Sequence, residues 1–442
     1  MLPGPGDHLP HRDPRGGECW DGRGTLTDRR SSPSLSEFWW YVTRDDPLWG
    51  RDLAECLPLS PGVSGISPPE RRNAVKVVLA GGGTGGHVFP ALALARELRV
   101  REIDPLMIGT SRGLEVATFT AEGFSVEIIR VEKLKGMNAR TQAKSLVLLP
   151  QALIHAMQLL RRHRPQVVVG MGGYAAGPVS MAAVLRRIPL LIHEQNFAPG
   201  LTNRVLAKVA DIVAVTFDES GSVFGREVVV TGNPVRREIL EADRRKGCEA
   251  FHLDPGKATV LVFGGSQGAR QINSAVAEAL PHLSEWQDRL QIIHATGERD
   301  RERMGEAYRA WKGEARVLPF IQDMASAYAA ADLVVSRAGA TTIAEIAALG
   351  KPALLIPYPF ATNDHQRVNA EAVVRVGGAR LILDQDLTGF RLAFELQELL
   401  DDPSALAEMG RAAQGLGRPQ ATSHLADLVC RLAKDGRSEP GW

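Results

Sequence analysis

One histidine, His87, directly follows a run of glycines and is the first candidate for acid–base chemistry. Residues 81–86 read Gly-Gly-Gly-Thr-Gly-Gly. Glycines let the backbone turn tightly, and free N–H groups at the start of a following helix attract phosphates. Because an imidazole ionises near neutral pH, a histidine at this point is suited to proton transfer. An exposed helix residue is the alternative interpretation, and we favour the catalytic one.

Polar side chains also follow two other predicted strands. His193-Glu194-Gln195-Asn196 ends one of them, and Asn203 lies in the loop beyond. Four consecutive polar side chains are costly to bury unless they are bonded, so they typically line a site. Asn196 can donate to and accept from a sugar hydroxyl, whereas Asn203 also fits a polar capping network. Tyr174, in a glycine-containing loop, is a candidate for the acceptor side.

The segment 336–345, Ser-Arg-Ala-Gly-Ala-Thr-Thr-Ile-Ala-Glu, predicts a strand end, a turn of small residues and a helix that begins near Ala340. Free N–H groups at that helix start would hold an anion or hydroxyl groups. Glu345 could accept hydrogen bonds from two vicinal ribose hydroxyls, or simply compensate the helix dipole. The segment therefore favours a nucleotide or phosphate ligand.

A second loop that leads from a strand into a helix, residues 357–366, follows the next predicted strand. It combines two prolines with four polar residues that begin a helix, which indicates a sugar-reading role. Asp364 as a helix N-cap is the simpler alternative. His, Cys and Asp residues nowhere show metal-ligand spacing, so we expect no metal ion and no cofactor.

The elements that would position these residues alternate between strands and helices. A β-branched run, Val75–Ala80, precedes the first glycine run. The same order returns with a strand (Ala258–Phe263), a glycine loop (Gly264–Ala269) and a helix (Arg270–Leu283). Strand, glycine turn and helix open a doubly wound α/β unit. Its repetition predicts two similar α/β domains that face each other across a cleft, with a hinge near Thr231–Arg236.

Composition excludes several classes of protein. The chain has 442 residues, 44% hydrophobic and 23% charged, and its 52 Lys and Arg balance 51 Asp and Glu. That balance argues against a protein that coats nucleic acid. Four dispersed cysteines argue against a disulfide framework and fit a reducing compartment. No apolar run is long enough to span a bilayer, and the N-terminus lacks the apolar core of a signal peptide, so we predict a cytoplasmic protein.

Residues 1–74 differ from the rest of the chain. They hold 10 of the 27 prolines and 4 of the 7 tryptophans. Prolines at that density interrupt helices and strands, so we predict a disordered extension without chemistry. A docking segment around the tryptophans is the alternative.

An apolar helix at 145–160 has cations on both sides and leaves two interpretations open. It is either a core helix with a solvated basic rim or a surface that rests on anionic lipid. The cations are Lys133, Lys135, Arg140, Lys144, Arg161, Arg162 and Arg164.

Taken in chain order, these motifs resemble the lipid II synthases of peptidoglycan assembly, the MurG family of glycosyltransferase family 28. The resemblance covers about residues 75–435 and leaves the extension without a counterpart. It rests on Gly81–His87, His193–Asn196, Asn203-Arg204, Thr231–Arg236, Gly264–Ala269, Ser336–Glu345 and Asp364–Asn369.

The resemblance implies a GT-B fold, in which two Rossmann-like domains of doubly wound parallel sheet face a cleft. It implies that an acceptor- and membrane-binding domain comes first, that a UDP-sugar domain follows, and that a C-terminal helix crosses back to the first domain. The implied boundaries are 75–235, 236–418 and 419–442.

The resemblance also implies which residues bind UDP-N-acetylglucosamine. Arg236 and Ser266 would serve the diphosphate, Glu345 the ribose, the backbone of Ile321 the uracil, and Gln366 with Asn196 the sugar. The full implied set is Thr84, Gly85, Gly86, Asn196, Arg236, Ser266, Ile321, Ala340, Thr341, Thr342, Ile343, Ala344, Glu345 and Gln366.

The implied reaction is a metal-independent, inverting transfer of N-acetylglucosamine to the 4-hydroxyl of the muramoyl sugar of lipid I, with His87 as the base. The implied place is the cytoplasmic side of the cell membrane, in peripheral contact with anionic lipid. Cell-wall or division proteins are further expected partners, and nucleic acid is not one.

Three alternatives stay open at this point. A GT-B transferase with another acceptor would share the motifs of the second half. A nucleotide-sugar 2-epimerase would need no acceptor, and a membrane scaffold would turn over no UDP-sugar.

Overall fold

The computed structural model of the chain describes five stretches, which all belong to one compact unit, Val63–Trp442. The stretches are 76–111, 114–129, 139–265, 268–361 and 364–435. Of residues 139–149 it describes the backbone alone. The predicted disordered extension, 1–74, lies outside the described residues.

Seven parallel strands of the described chain form the sheet of the first lobe. They are β1 (Lys76–Ala80), β2 (Asp104–Thr110), β3 (Ser125–Ile129), β4 (Val167–Gly170), β5 (Leu190–Glu194), β6 (Ile212–Val215) and β7 (Val229–Val230). Their order in the sheet is β3-β2-β1-β4-β5-β6-β7. Branched apolar side chains, as in β1, suit strands that are covered on both faces.

Helices cover both faces of this sheet. They are α1 (Gly85–Val100), α2 (Leu114–Ala121), α3 (Ala139–His163), α4 (Ala176–Leu185), α5 (Leu201–Leu206) and α6 (Ser220–Phe224). Leu94 and Leu98 of α1 pack with Leu79 and Val169 in one core, and Leu160 of α3 packs with Val78 and Val168 in another. None of the described helices could cross a membrane.

A second parallel sheet, of six described strands, repeats the plan. Its strands are β8 (Ala258–Phe263), β9 (Leu290–Ala295), β10 (Glu314–Leu318), β11 (Leu333–Ser336), β12 (Ala353–Leu355) and β13 (Ala379–Leu381), in the order β10-β9-β8-β11-β12-β13. The strand order reverses beside β1 in one sheet and beside β8 in the other. Crevices at such points, outside the carboxyl ends of the strands, are where open α/β sheets bind ligands.

The helices after the first lobe fall into a linker pair, a set around the second sheet and a C-terminal helix. The pair is α7 (Arg237–Leu240) and α8 (Arg244–Ala250). The set is α9 (Arg270–Ala279), α10 (Arg301–Trp311), α11 (Met324–Ala330), α12 (Ala340–Leu349), α13 (His365–Arg375), α14 (Gly389–Leu400) and α15 (Pro403–Gly415). The last helix is α16 (Ala421–Asp435), and 3-10 turns lie at Leu280–Trp286, Glu298–Asp300 and Asp384–Asp386. The predicted α/β class is confirmed.

The chain passes between the lobes twice, and the two passages pack on each other. Gly232 has φ +83°, and a Cβ there would lie 2.4 Å from Cβ of Arg418. The hydroxyl of Thr422 donates to the carbonyl of Val235 at 3.0 Å. Beyond this crossing α16 returns to the first lobe, where Leu425 and its neighbours share a core with α1. Glycine at position 232 is therefore required both by its backbone angle and by this close approach.

The start of α1 differs from the sequence prediction, which put the helix after the glycine run. The helix begins at Gly85, because the carbonyl of Thr84 accepts from the N–H groups of His87 and Val88, both at 3.1 Å. Pro90 then lies inside α1. Since proline has no N–H, it cannot donate to the carbonyl of Gly86 four residues earlier.

Candidate active site

His87 lies in the first turn of α1, beside the residues that follow β4 and β5. Its Nδ1 lies 3.3 Å from Oε1 of Gln195. At Gly172, where φ is +87°, a Cβ would approach that Nδ1 to 2.6 Å. Any larger residue at position 172 would displace the imidazole, so a glycine far away in the chain makes room for it.

Burial lowers the pKa of His87 below its ordinary value of 6.5, because desolvation disfavours the imidazolium. Glu194 and the hydrogen bonds with Gln195 and the main chain of Met171 act against this change, whereas His365 of the second lobe adds to it. The imidazole is therefore neutral around pH 7. That is the protonation state in which a histidine can act as a general base.

Glu194 organises the loop after β5. Its Oε1 accepts from the backbone and side-chain amides of Asn196 at 3.0 and 3.1 Å. Its Oε2 accepts from the backbone N–H of Gly200 at 3.1 Å and from the side chain of Asn203 at 2.9 Å. The amide of Asn203 also donates to the carbonyl of His193 at 3.3 Å. Both N–H donors of Asn203 are thus used inside the loop, and its place on the acceptor side stays a prediction.

Asn369 on α13 joins the two lobes. Its side chain is fully buried. Its Oδ1 accepts from the N–H of Phe197 at 2.9 Å, and its Nδ2 donates to Oδ1 of Asn196 and to the carbonyl of Ala338, both at 3.3 Å. Asn196 is thereby held from both sides of the cleft, by Glu194 of its own lobe and by Asn369 of the other.

Arg236 and Glu345, the residues predicted for the diphosphate and the ribose, form an ion pair. Nη2 of Arg236 lies 3.1 Å from Oε1 of Glu345, and the side chains are 14% and 6% exposed. Oε2 of Glu345 accepts from the hydroxyl of buried Tyr328 at 2.9 Å. The guanidinium carbon of Arg236 lies 4.7 Å from the ring centre of Phe89 on α1. Its Nε is buried and bonds to no described residue, so the hydrogen bonding of Arg236 is incomplete.

The first turn of α12 approaches the first turn of α1. Gly339 is the N-cap in extended conformation, and the N–H of Ile343 donates to its carbonyl at 2.9 Å. The N–H groups of residues 340–342 therefore have no partner within the helix. Across the cleft, the hydroxyl of Thr341 donates to the carbonyl of Gly86 at 3.3 Å. This is the carbonyl that receives no hydrogen bond from Pro90 within α1.

The remaining predicted site residues are less closely connected. Oε1 of Gln366, on the first turn of α13, accepts from the N–H of Tyr358 at 3.0 Å. Ile321, after β10, is 2% exposed. Tyr174 is 40% exposed, and a Cβ at Gly83 would lie 3.9 Å from its ring. Ser266 lies outside the described residues, so its assignment stays a prediction.

Glu115 on α2 is a buried carboxylate that the sequence did not single out. Its Oε2 accepts from the N–H of Gly83 at 2.9 Å, and its Oε1 accepts from the N–H and hydroxyl of Thr110 at 2.6 and 2.9 Å. Cβ atoms at Gly82 and Gly109 would lie 2.1 and 2.3 Å from this side chain. A buried carboxylate therefore lies at the end of β2, where its oxygens accept from the backbone of Gly83 and Thr110 and support the glycine loop.

Three further residues contribute hydrogen bonds to the site, although nothing in the sequence singled out any of them individually. Gln195 is inside the polar quartet after β5, Asn369 ends the motif that begins at Asp364, and Tyr328 is an unremarked residue of α11. Their roles depend on partners far away in the chain. Over the described ranges, no three His, Cys, Asp or Glu side chains are grouped as a metal site requires.

Two family models match the chain. The glycosyltransferase family 28 N-terminal domain matches residues 77–215, and the family 28 C-terminal domain matches residues 259–425. The chain belongs to glycosyltransferase family 28. The predicted resemblance is thereby confirmed, and so is the prediction of a glycosyltransferase with two domains of this kind.

Relatives within family 28 are similar over nearly their whole length. The UDP-N-acetylglucosamine–N-acetylmuramyl-(pentapeptide) pyrophosphoryl-undecaprenol N-acetylglucosamine transferase of Anaeromyxobacter dehalogenans is 47% identical over 363 residues, which cover 81% of this chain and 94% of that protein. The protein of the same name from Syntrophus aciditrophicus is 46% identical over 81% of this chain and 99% of its own.

One solved structure agrees with the family 28 assignment, and a second shares the fold. The crystal structure of Acinetobacter baumannii MurG has a TM-score of 0.67 and 32% identity, over 81% of this chain and 99% of that one. A putative UDP-N-acetylglucosamine 2-epimerase from Listeria monocytogenes has a TM-score of 0.62 at 14% identity, over 83% and 98% of the two chains. At that identity the second likeness shows the fold alone, and the fold is the predicted GT-B arrangement.

Proposed function

We propose that this family 28 chain transfers N-acetylglucosamine from UDP-N-acetylglucosamine to the 4-hydroxyl of the muramoyl sugar of lipid I, with inversion, to give lipid II and UDP. The observation that carries the proposal is that two neighbours of His87 on α1 contact the second lobe: Gly86 bonds to Thr341 at the start of α12, and Phe89 lies against Arg236 of the Arg236–Glu345 pair. The helix turn that carries the neutral base thus lies against a cation and free amides of the other lobe. The names of the relatives, which describe this transfer, support the same substrates.

In this proposal the second lobe binds the donor and the first lobe binds the acceptor. Arg236 and Glu345 neutralise each other in the structure. In the complex, the diphosphate of the donor would bind to Arg236 and the free amides of α12, and its ribose hydroxyls would bind to Glu345. The incomplete hydrogen bonding of Arg236 supports this exchange. The other proposed donor contacts are Thr84, Gly85, Gly86, Asn196, Ser266, Ile321, Ala344 and Gln366, with Tyr174 on the acceptor side.

The proposed chemical step needs one proton transfer. Neutral His87 removes the proton of the acceptor hydroxyl while the hydroxyl oxygen forms a bond to C1 of the donor sugar. The bond from C1 to the diphosphate oxygen breaks, and its electron pair leaves with UDP. The imidazolium then releases the proton to water. Arg236 and the amides of α12 stabilise the charge that develops on the diphosphate, because they are fixed before the reaction begins.

Glu345→Gln should raise the KM for UDP-N-acetylglucosamine at least about 10-fold, because a hydrogen bond to a charged group contributes about 1.5–3 kcal/mol. The turnover number should change less, since the ribose takes no part in bond breaking. Initial rates at varied donor and saturating lipid I analogue measure both. Glu371→Gln, an exposed carboxylate on α13 paired with Arg367, is the matched control. An unchanged donor KM would remove Glu345 from the donor site.

We further propose that the first lobe rests on anionic membrane at the cytoplasmic face. Helices α3 and α4 pack against each other, and Ile154 and Leu185 on them are 52% and 58% exposed. Exposed cations flank them at Arg161, Arg162, Arg164, Arg186 and Arg187. An apolar surface with a basic rim is suited to anionic lipid. Residues 133–149 of the predicted patch lie outside the described side chains, and contact with other cell-wall proteins stays a prediction.

Leu185→Glu should lower binding to vesicles of phosphatidylglycerol and phosphatidylcholine about 10-fold. The substitution replaces an apolar side chain that would contact the lipid with a negative charge that the lipid repels. Sedimentation with vesicles of graded phosphatidylglycerol content measures it. Phe390→Glu, a comparable change at a residue 69% exposed on the second lobe, is the control and should bind normally. Equal binding by Leu185→Glu and the unaltered chain would contradict this placement.

The experiment that tests the function measures UDP release from UDP-N-acetylglucosamine with and without a lipid I analogue. We expect release only when the analogue is present, together with a disaccharide product. Release with a different lipid or small-molecule acceptor alone would identify another GT-B transferase. Conversion of the sugar without any acceptor would identify an epimerase, and either result would refute the proposal.

A further inference from the structure

We propose that Gln195 is a positioning residue for His87, because its amide oxygen holds the imidazole in the tautomer that carries the proton on Nδ1. This inference rests on the proposed function, in which His87 is the base. It deepens that proposal by assigning which ring nitrogen receives the proton of the acceptor hydroxyl. Nε2 keeps its lone pair and is the proposed acceptor of that proton.

The orientation of the Gln195 amide follows from its second contact. Gln195 is 1% exposed, and its Nε2 donates to the carbonyl of Met171 at 2.8 Å. The opposite orientation would place two carbonyl oxygens against each other in a buried position, which is unfavourable. The amide oxygen therefore points at His87 and lies 3.3 Å from Nδ1.

An amide oxygen can only accept a hydrogen bond, so the orientation decides the tautomer of the imidazole. A neutral imidazole has one N–H and one lone pair, and the partner of one nitrogen sets the role of the other. With Nδ1 as the donor, Nε2 is the basic nitrogen. The main-chain carbonyl of Met171 fixes the orientation of the Gln195 amide, and that orientation determines which nitrogen of His87 can take a proton.

Several charged or titratable groups, in addition to the amide of Gln195, lie near the imidazole of His87. The charged and titratable groups that act on it are Glu194 and His193 at the end of β5 and His365 on α13. Glu194 uses its oxygens on Asn196, Asn203 and Gly200, and Nε2 of His193 lies 2.9 Å from the carbonyl of Gly232. The side chain of Gln195 supplies a hydrogen bond to the ring of His87, and the main-chain carbonyl of Met171 supplies another.

The test measures the tautomer itself and then its effect on the rate. In the full-length protein with 15N-labelled histidine, the nitrogen shifts of the two ring atoms distinguish Nδ1–H from Nε2–H. The signal of His87 is the one that His87→Ala removes. We expect Nδ1–H in the unaltered chain and a mixture of tautomers in Gln195→Met, together with a kcat at least about 10-fold lower and an unchanged donor KM.

Gln195→Glu is the second variant. A carboxylate beside the imidazole stabilises the imidazolium, so the acid limb of the pH–rate profile should move to higher pH. Gln291→Met is the matched control, since Gln291 is also fully buried and hydrogen-bonded, to Asp254 and Thr259, but lies in the second lobe away from His87. It should lower stability without changing the His87 signal or the pH limb.

An Nε2–H tautomer in the unaltered chain would overturn the inference even if no Gln195 variant folds. A Gln195→Met protein that folds and keeps both the Nδ1–H signal and its kcat would overturn it as well. Failure of the proposed function looks different. Full turnover by His87→Ala would refute His87 as the base, whereas the tautomer measurement would still decide the role of Gln195.

Discussion

His87→Ala is expected to lower kcat by about 10²–10⁴-fold, the contribution typical of a general base, while the KM for UDP-N-acetylglucosamine stays within about twofold. In the proposed mechanism the base acts on the acceptor hydroxyl in the transition state, and the other lobe binds most of the donor. Steady-state rates of UDP release at saturating lipid I analogue measure the change. In the unaltered chain, the acid limb of kcat/KM should have an apparent pKa below 6.5, because burial lowers the pKa of His87. Activity is therefore retained on going from pH 8 to 7 and is lost only on further acidification.

His155→Ala is the control for this substitution, because His155 is a half-buried histidine of α3 in the same lobe. It should leave kcat and the acid limb unchanged. Turnover retained in His87→Ala, or an acid limb that survives in it with the same apparent pKa, would exclude His87 as the base.

Arg236→Ala should lower kcat by about 10²–10³-fold, since it removes a fixed charge that stabilises the departing diphosphate. It should also raise the donor KM, because Glu345 is then left buried without its cation. Arg236→Lys keeps the charge but loses the planar fork of the guanidinium, so we expect a smaller loss. Single-turnover rates and donor binding, measured separately, distinguish the two effects.

Arg237→Ala is the matched control for Arg236. The side chain of Arg237 is 82% exposed and pairs with Glu241 on the surface, although it is the next residue in the chain. Kinetics like those of the unaltered chain are expected. If Arg236→Ala and Arg237→Ala showed equal rates and equal donor KM values, Arg236 would not stabilise the leaving group.

The sheets could be predicted from the sequence because buried strands read as continuous apolar runs. Ala258–Phe263, with the sequence Ala-Thr-Val-Leu-Val-Phe, is such a run, and it forms β8 with the predicted bounds. The edge strand β13 was missed, because its three residues, Ala-Arg-Leu, follow two glycines and carry no period. A short strand at the edge is specified by the neighbouring strand, here β12, more than by its own residues.

The cleft could be predicted only in outline. Glycine loops and polar strand ends mark its edge, because parallel strands bring their carboxyl ends together. The partners of individual side chains could not be predicted. Glu115 is 32 positions from Gly83, and Asn369 is 173 positions from Asn196, so no local pattern connects them. Arg236 and Glu345 were each singled out for a ligand, and their contact with each other was unforeseen.

Pro90 has a consequence for the contact between the two lobes. Because proline has no N–H, the carbonyl of Gly86 receives no hydrogen bond from Pro90 within α1. It accepts one from the hydroxyl of Thr341 on the other lobe instead. A single neutral bond of this type contributes only about 0.5–1.5 kcal/mol, so thermal motion breaks and remakes it readily. One imino acid thus leaves the two lobes joined at this point by a weak bond, which can break and re-form without unwinding either helix.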